Sequence, residues 1–120
     1  MPDQSSISST KGRKTLECIV RLLVQGDYEA LERLSGNVRL PADQIRFGVE
    51  RFGRTLQFPP DDLWKYVTVH EVTGSQPRRW MVDVDLYTKE EGRSDLTLQL
   101  TLIDDPAEVF RVEINDLRVL

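Results

Sequence analysis

WMVDVDLYTKEEGRSDLTLQLTL, residues 80–102, carries the pattern that decides the fold. Trp80, Val82, Val84 and Leu86 alternate with Met81, Asp83, Asp85 and Tyr87. After a polar interruption, Leu96, Leu98, Leu100 and Leu102 alternate with Thr97, Gln99 and Thr101. A period of two marks a strand with one buried face. The opposite face, with Asp83, Asp85, Thr97 and Gln99, is expected to be wet. The register follows from matching apolar partners: Leu86 with Leu96, Val84 with Leu98, Val82 with Leu100 and Trp80 with Leu102. A slip of one residue would turn one strand's leucines into water. The connection, residues 88–94, is too long for a two-residue turn. Within it, Gly92 is expected at positive φ, which glycine adopts at little cost.

Downstream, Phe110, Val112 and Ile114 alternate with Arg111, Glu113 and Asn115, predicting a last strand over residues 109–115. Pairing Leu102 with Phe110, Leu100 with Val112 and Leu98 with Ile114 continues the buried face. The terminal DLRVL, residues 116–120, is too apolar for a free tail and is expected to dock. Upstream, WKYVTVHEV, residues 64–72, is rich in β-branched and aromatic residues and reads as an edge strand. Before it, residues 54–63 with Pro59-Pro60 read as an extended connection.

The first half has helical periodicity instead. Leu16, Ile19, Val20 and Leu23 form one apolar stripe, and Gly26 ends that helix. Asp27 caps a second helix with Tyr28, Leu31 and Leu34 on its apolar face. Pro41 suits the first turn of a third, with Ile45, Val49 and Phe52 as its stripe and Gly53 at its end. Gly48, inside that helix, is expected to allow close packing against another element. A run of helices followed by a run of strands predicts an α+β fold. Three N-terminal helices pack on a four-stranded antiparallel meander. Residues 1–10 read as a disordered, serine-rich leader, and residues 11–120 as a single α+β domain.

Composition narrows the function. Sixteen basic and 20 acidic side chains give a net charge of −4, which disfavours nucleic-acid binding. No apolar run approaches the roughly 20 residues of a membrane-spanning helix. The N-terminus lacks the apolar centre of a secretory signal, so the expected location is cytoplasmic. Cys18 is the single cysteine, so no internal disulfide forms. Lying among apolar residues, it is expected to be buried and inert. His70 is the single histidine, and no serine has the setting of a nucleophile. Phosphate-binding glycine loops and zinc-ligand clusters are absent. Trp64, Tyr66, Trp80 and Phe110 could line a ligand pocket, although aromatics at alternating strand positions more commonly form core.

The polar face supplies the candidate binding residues. Asp83 and Asp85 lie two apart on a strand and project together, with Glu90, Glu91, Arg93 and Asp95 at the loop end. Gln99, Arg111 and Glu113 complete the surface. Close carboxylates could hold a divalent cation or divide acid and base roles. Their spacing matches no calcium loop, and Lys89 and Arg93 offer local ion pairs. No metal, cofactor or catalytic residue is therefore expected.

Residues 15–120 resemble a family of small, uncharacterised bacterial proteins. The resemblance rests on VQGDYEAL at 24–31, TKEEGRSDLTLQL at 88–100 and DLRVL at 116–120. It implies no established activity. The order of elements is also similar to the cone-shaped nuclear-transport-factor-like and cystatin-like α+β fold, an analogy of fold alone. The leading expectation is a non-enzymatic protein-interaction module of the immunity or accessory type, with a protein partner and an oligomeric state left open. The alternative is a small-molecule binder or enzyme with its pocket between helices and sheet.

Overall fold

The computed structural model describes residues 10–37, 39–60 and 67–119. Helix α1 spans Thr10–Gln25, α2 Tyr28–Leu34 and α3 Ala42–Phe52. The α1 stripe of Leu16, Ile19, Val20 and Leu23 is buried as its spacing requires. Asp27 caps α2 by accepting the Ala30 N–H at 3.2 Å. Pro41 is the N-cap of α3, and Gly53 closes it in the left-handed region at φ 75°. Gly48 makes the close approach foreseen for it. A Cβ there would lie 3.0 Å from Leu117 Cδ2, so α3 sits directly against the end of the last strand.

Cys18 corrects an expectation: it is exposed. At ~100° per residue it lies about 150° from the centre of the α1 stripe, on the solvent side. Its apolar sequence neighbours belong to the opposite face. A thiol reagent is therefore expected to label the native protein as fast as the unfolded chain. Slow labelling that urea accelerates would show Cys18 to be covered.

The strands are β1 Leu56–Gln57, β2 Thr68–Glu71, β3 Arg79–Thr88, β4 Gly92–Ile103 and β5 Arg111–Val119. All pair antiparallel. β2 to β5 form the expected meander, so the fold is α+β with its helices N-terminal. The short β1 lies where the sequence predicts plain connection. It lies on the same edge of β3 as β2, pairing Leu56 with Thr88 and Gln57 with Tyr87. Of the strand read over 64–72, Trp64 and Tyr66 lie outside the described residues, as does most of the leader.

The central register is as matched apolar partners demand: Trp80 with Leu102, Val82 with Leu100, Val84 with Leu98. It then shifts. Between Asp85↔Thr97 and Tyr87↔Arg93, Leu86 alone opposes Ser94, Asp95 and Leu96. Ser94 stitches this bulge, its hydroxyl donating to the Leu86 carbonyl at 2.7 Å and accepting the Leu96 N–H at 3.2 Å. Leu96 pairs with Val119 instead of Leu86. The hairpin is consequently tighter than read, with only residues 89–91 between the strands and Gly92 at φ 74°.

The last strand also differs. Leu102 pairs with Val112 and Leu100 with Ile114, two residues beyond the expected register. A second irregularity leaves Asn115 unpaired, and Leu98 then meets Leu117. DLRVL is thus not a separate docking tail, since residues 116–119 are the end of β5. Phe110 precedes the strand, buried, with its N–H donating to Thr15 Oγ1 at 3.0 Å.

One core fills the space between helices and sheet. Leu16, Ile19, Leu23, Leu31 and Ile45 from the helices meet Trp80, Val82, Leu98, Leu100, Val112 and Ile114 from the strands. Trp80 and Phe110 belong to it, their rings edge-to-face at 5.3 Å.

Candidate functional site

With the helices on one side, β2 to β5 present their other side chains outward in rows fixed by the pairing. One row runs Thr68–Asp83–Gln99–Asp116. The next is His70–Met81–Thr101–Glu113, and the third Arg79–Ile103–Arg111. A fourth, Asp85–Thr97–Arg118, lies beyond the first.

The expectation that this face is wet throughout needs correcting. Thr97 and Ile103 are each 1% exposed, and Thr101 is buried too. These belong to the central strand β4, flanked on both sides by longer side chains. Thr97 donates to Asp85 Oδ1 at 3.0 Å, and Arg93 Nε reaches Asp85 Oδ2 at 2.9 Å. Asn115 Nδ2 donates to Thr101 Oγ1 at 2.8 Å, while its Oδ1 is buried without a partner among the described residues. On the flanking strands the face is open, and Met81 is 42% exposed at its middle.

The nine candidate residues divide into two groups. Asp83, Asp85, Gln99, Arg111 and Glu113 share the sheet face as the alternation required. Asp85 is tied to Arg93 and Thr97. Glu113 Oε1 accepts from Arg39 Nε at 3.1 Å, and its Oε2 lies 3.9 Å from Arg79. Asp83 and Arg111 have no ion-pair partner among the described residues.

In the loop, Glu90 and Glu91 contact the segment before β1. Glu90 accepts the Thr55 N–H and the Thr55 hydroxyl, both at 2.8 Å, anchoring the approach to β1. Glu91 lies 3.7 Å from Arg54. Asp95 sits exposed in the β4 bulge. No group of three or more His, Cys, Asp or Glu among the described residues is placed to hold a metal ion.

The two Thr55 hydrogen bonds hold the Glu90 carboxyl below the usual glutamate range, with Arg54 adding a smaller pull. A lowered folded value means that the contact stabilises above the ordinary glutamate pKa and fades as pH falls through the lowered one. The Thr55 amide resonance is therefore expected to shift with an inflection below the usual glutamate range. Glu90→Gln should abolish that inflection; a shift that survives it would assign the titration to another group.

Sequence reasoning missed a cleft at the rim. Its volume is about 670 Å³, and it is walled by α3 and the end of β5, with Phe47, Arg51, Phe52, Leu96 and Val119 among its lining. Phe47 is 62% exposed. The available signal was its position: two residues from Ile45, it points away from the Ile45–Val49–Phe52 stripe. A large aromatic off the stripe is a surface feature.

The family described as a domain of unknown function, DUF7668, matches residues 20–120. The chain belongs to the DUF7668 family. The match takes in every strand and the whole outward face, together with the end of α1 from Val20. DUF7668 membership carries no assigned activity, substrate or partner. No curated protein and no solved structure matches the chain. No described helix is long and apolar enough to cross a membrane.

Proposed function

We propose that this DUF7668 protein is a non-enzymatic protein-interaction module, of the immunity or accessory type, whose contact surface is the outward face of β2 to β5. The observation that carries this reading is the exposed centre of that face. Met81 exposes a large apolar side chain there, beside an Asp83 carboxylate that no described residue pairs. An apolar anchor ringed by polar groups is the composition of a protein contact. The supporting geometry is rigid, since the central β4 residues beneath are buried and hydrogen-bonded. An exposed lone thiol at Cys18 suits a reducing compartment, so the place of action is the cytoplasm.

The test is position-specific crosslinking in the cell. A photo-crosslinking residue in place of Met81 should give a protein adduct. The same residue in place of Cys18, exposed on the helical side, should give none. An additional Asp83→Arg substitution should remove the Met81 adduct while leaving stability within about 0.5 kcal/mol, as surface changes do. No adduct at Met81, or an equal one at Cys18, would remove the face as the contact surface.

A second reading is supported by the rim cleft, whose volume is in the range of small-molecule sites. The cleft lies between α3 and the end of the sheet, beside the packed core.

A further inference from the structure

The outward face is polarised along its strands. On one side of the Met81 row lie Asp83 and Asp116, flanking Gln99. On the other lie Arg79 and Arg111, flanking Ile103. Each row is two residues, about 7 Å, from the middle one. Asp83 and Arg111, neither ion-paired among the described residues, stand at opposite corners, two strands and four residue-steps apart. At about 4.8 Å per strand and 3.4 Å per residue they cannot meet within one chain.

We infer that the occupant of this face is a second copy of the same chain, packed sheet to sheet and turned end for end. This rests on the reading that the face is a contact surface, and adds which partner it takes. Rotation about an axis along the Met81–Thr101–Glu113 row lays the acidic row of one copy on the basic row of the other. Asp83 then faces Arg79 of the second copy, and Asp116 faces its Arg111. By two-fold symmetry each contact occurs twice. Met81 meets its own counterpart on the axis, covering the exposed apolar side chain. Glu113 also lies on the axis, where its own Arg39 and Arg79 already balance its charge. The other simple arrangement, with the axis along β4, stacks Asp83 on Asp116 and Arg79 on Arg111. Like charges exclude it, so the same pattern that favours pairing also fixes its direction.

With the axis on the Met81 row, the copies overlap over the rows from Arg79 to Asp83: four strands at about 4.8 Å and roughly five residues at 3.3 Å give about 300 Å² per copy. About 600 Å² in total is a small contact, so the dimer is weak and is directed by its charge pairing.

Sedimentation velocity on the full chain tests this. Wild type should be a dimer at roughly 100 μM and dissociate on dilution. Asp83→Arg and Arg79→Asp should each weaken self-association about 100-fold, because each sets two like-charge contacts in the symmetric dimer. Mixing these two variants should restore a dimer, since Arg at 83 of one chain then faces Asp at 79 of the other. Met81→Lys, at a position 42% exposed, should also give monomer. Dimerisation rescued only in the mixture cannot come from an effect within one chain.

A monomeric wild type overturns the inference, as does a dimer unaffected by the reversals and by Met81→Lys, or a mixture that stays monomeric. A monomeric wild type that still gives a Met81 adduct with a different protein leaves the contact face standing and removes only the second copy. Absence of any Met81 adduct removes both.

Discussion

Leu100→Ala is expected to lower the unfolding free energy by about 2–5 kcal/mol, enough to shift the urea midpoint by more than any surface change in this chain. Leu100 is 0% exposed and sits on the middle strand of the sheet, with Val82 on one side and Ile114 on the other. Both neighbours are themselves buried, as are Leu98 and Leu102 on the same face of β4. A backbone hydrogen-bonded on both sides cannot collapse into the space left by three missing carbons. The cost therefore combines lost transfer free energy with an unfilled cavity. Leu98→Ala should behave alike. Urea unfolding followed by far-ultraviolet circular dichroism measures both. A loss below about 0.5 kcal/mol, the size of a surface change, would mean that β4 presents its leucines to water.

That the leucines face inward was legible in the sequence, and the pairing of β5 was not. The reason is physical. A one-residue slip turns apolar side chains outward, so periodicity forbids it. A two-residue slip keeps Val112 and Ile114 inward in either register, so periodicity cannot choose. The choice is made by backbone features with no strong sequence mark: the irregularity at Asn115, the bulge around Ser94, and the three-residue turn ending at Gly92. The missed β1 has the same origin, since two residues are too few to show a period.

The candidate face was legible in part for a related reason. Alternation placed Asp83, Asp85, Gln99, Arg111 and Glu113 on one side of the sheet. It could not show that Asp85 is held by Arg93 and Thr97 while Asp83 has no ion-pair partner among the described residues. It also could not show that Thr97, Thr101 and Ile103 are buried, because shielding depends on side chains that cross from neighbouring strands. The separation of acidic and basic rows is a property of register and appears only once three strands are aligned. Glu90 and Cys18 make the complementary point. Glu90 looked like a surface acid but anchors Thr55, thirty-five residues earlier in sequence. Cys18 looked buried from its sequence neighbours, whereas its angle on the helix decided otherwise.

Trp80 should separate two contributions that usually change together. Its ring is 1% exposed, edge-to-face with Phe110, and the Arg78 guanidinium lies 4.9 Å from its centroid. Trp80→Ala removes the largest of the fully buried side chains and is expected to cost about 3–5 kcal/mol. Trp80→Phe is a different experiment. The indole Nε1 is buried and has no hydrogen-bond partner among the described residues. An unmatched buried donor costs about 1–3 kcal/mol. Phenylalanine removes that donor, keeps an aromatic face toward Phe110 and Arg78, and loses contact area equivalent to about two methylene groups, about 1.6 kcal/mol. The two terms have opposite sign and similar size. Trp80→Phe is therefore expected to leave stability within about 1 kcal/mol of wild type, far from the alanine variant. Far-ultraviolet circular dichroism is the suitable probe for both, because each substitution alters the fluorescence signal itself. A phenylalanine variant as unstable as the alanine variant would show that the indole N–H is satisfied in solution, and that its hydrogen bond helps to hold β3 in the core.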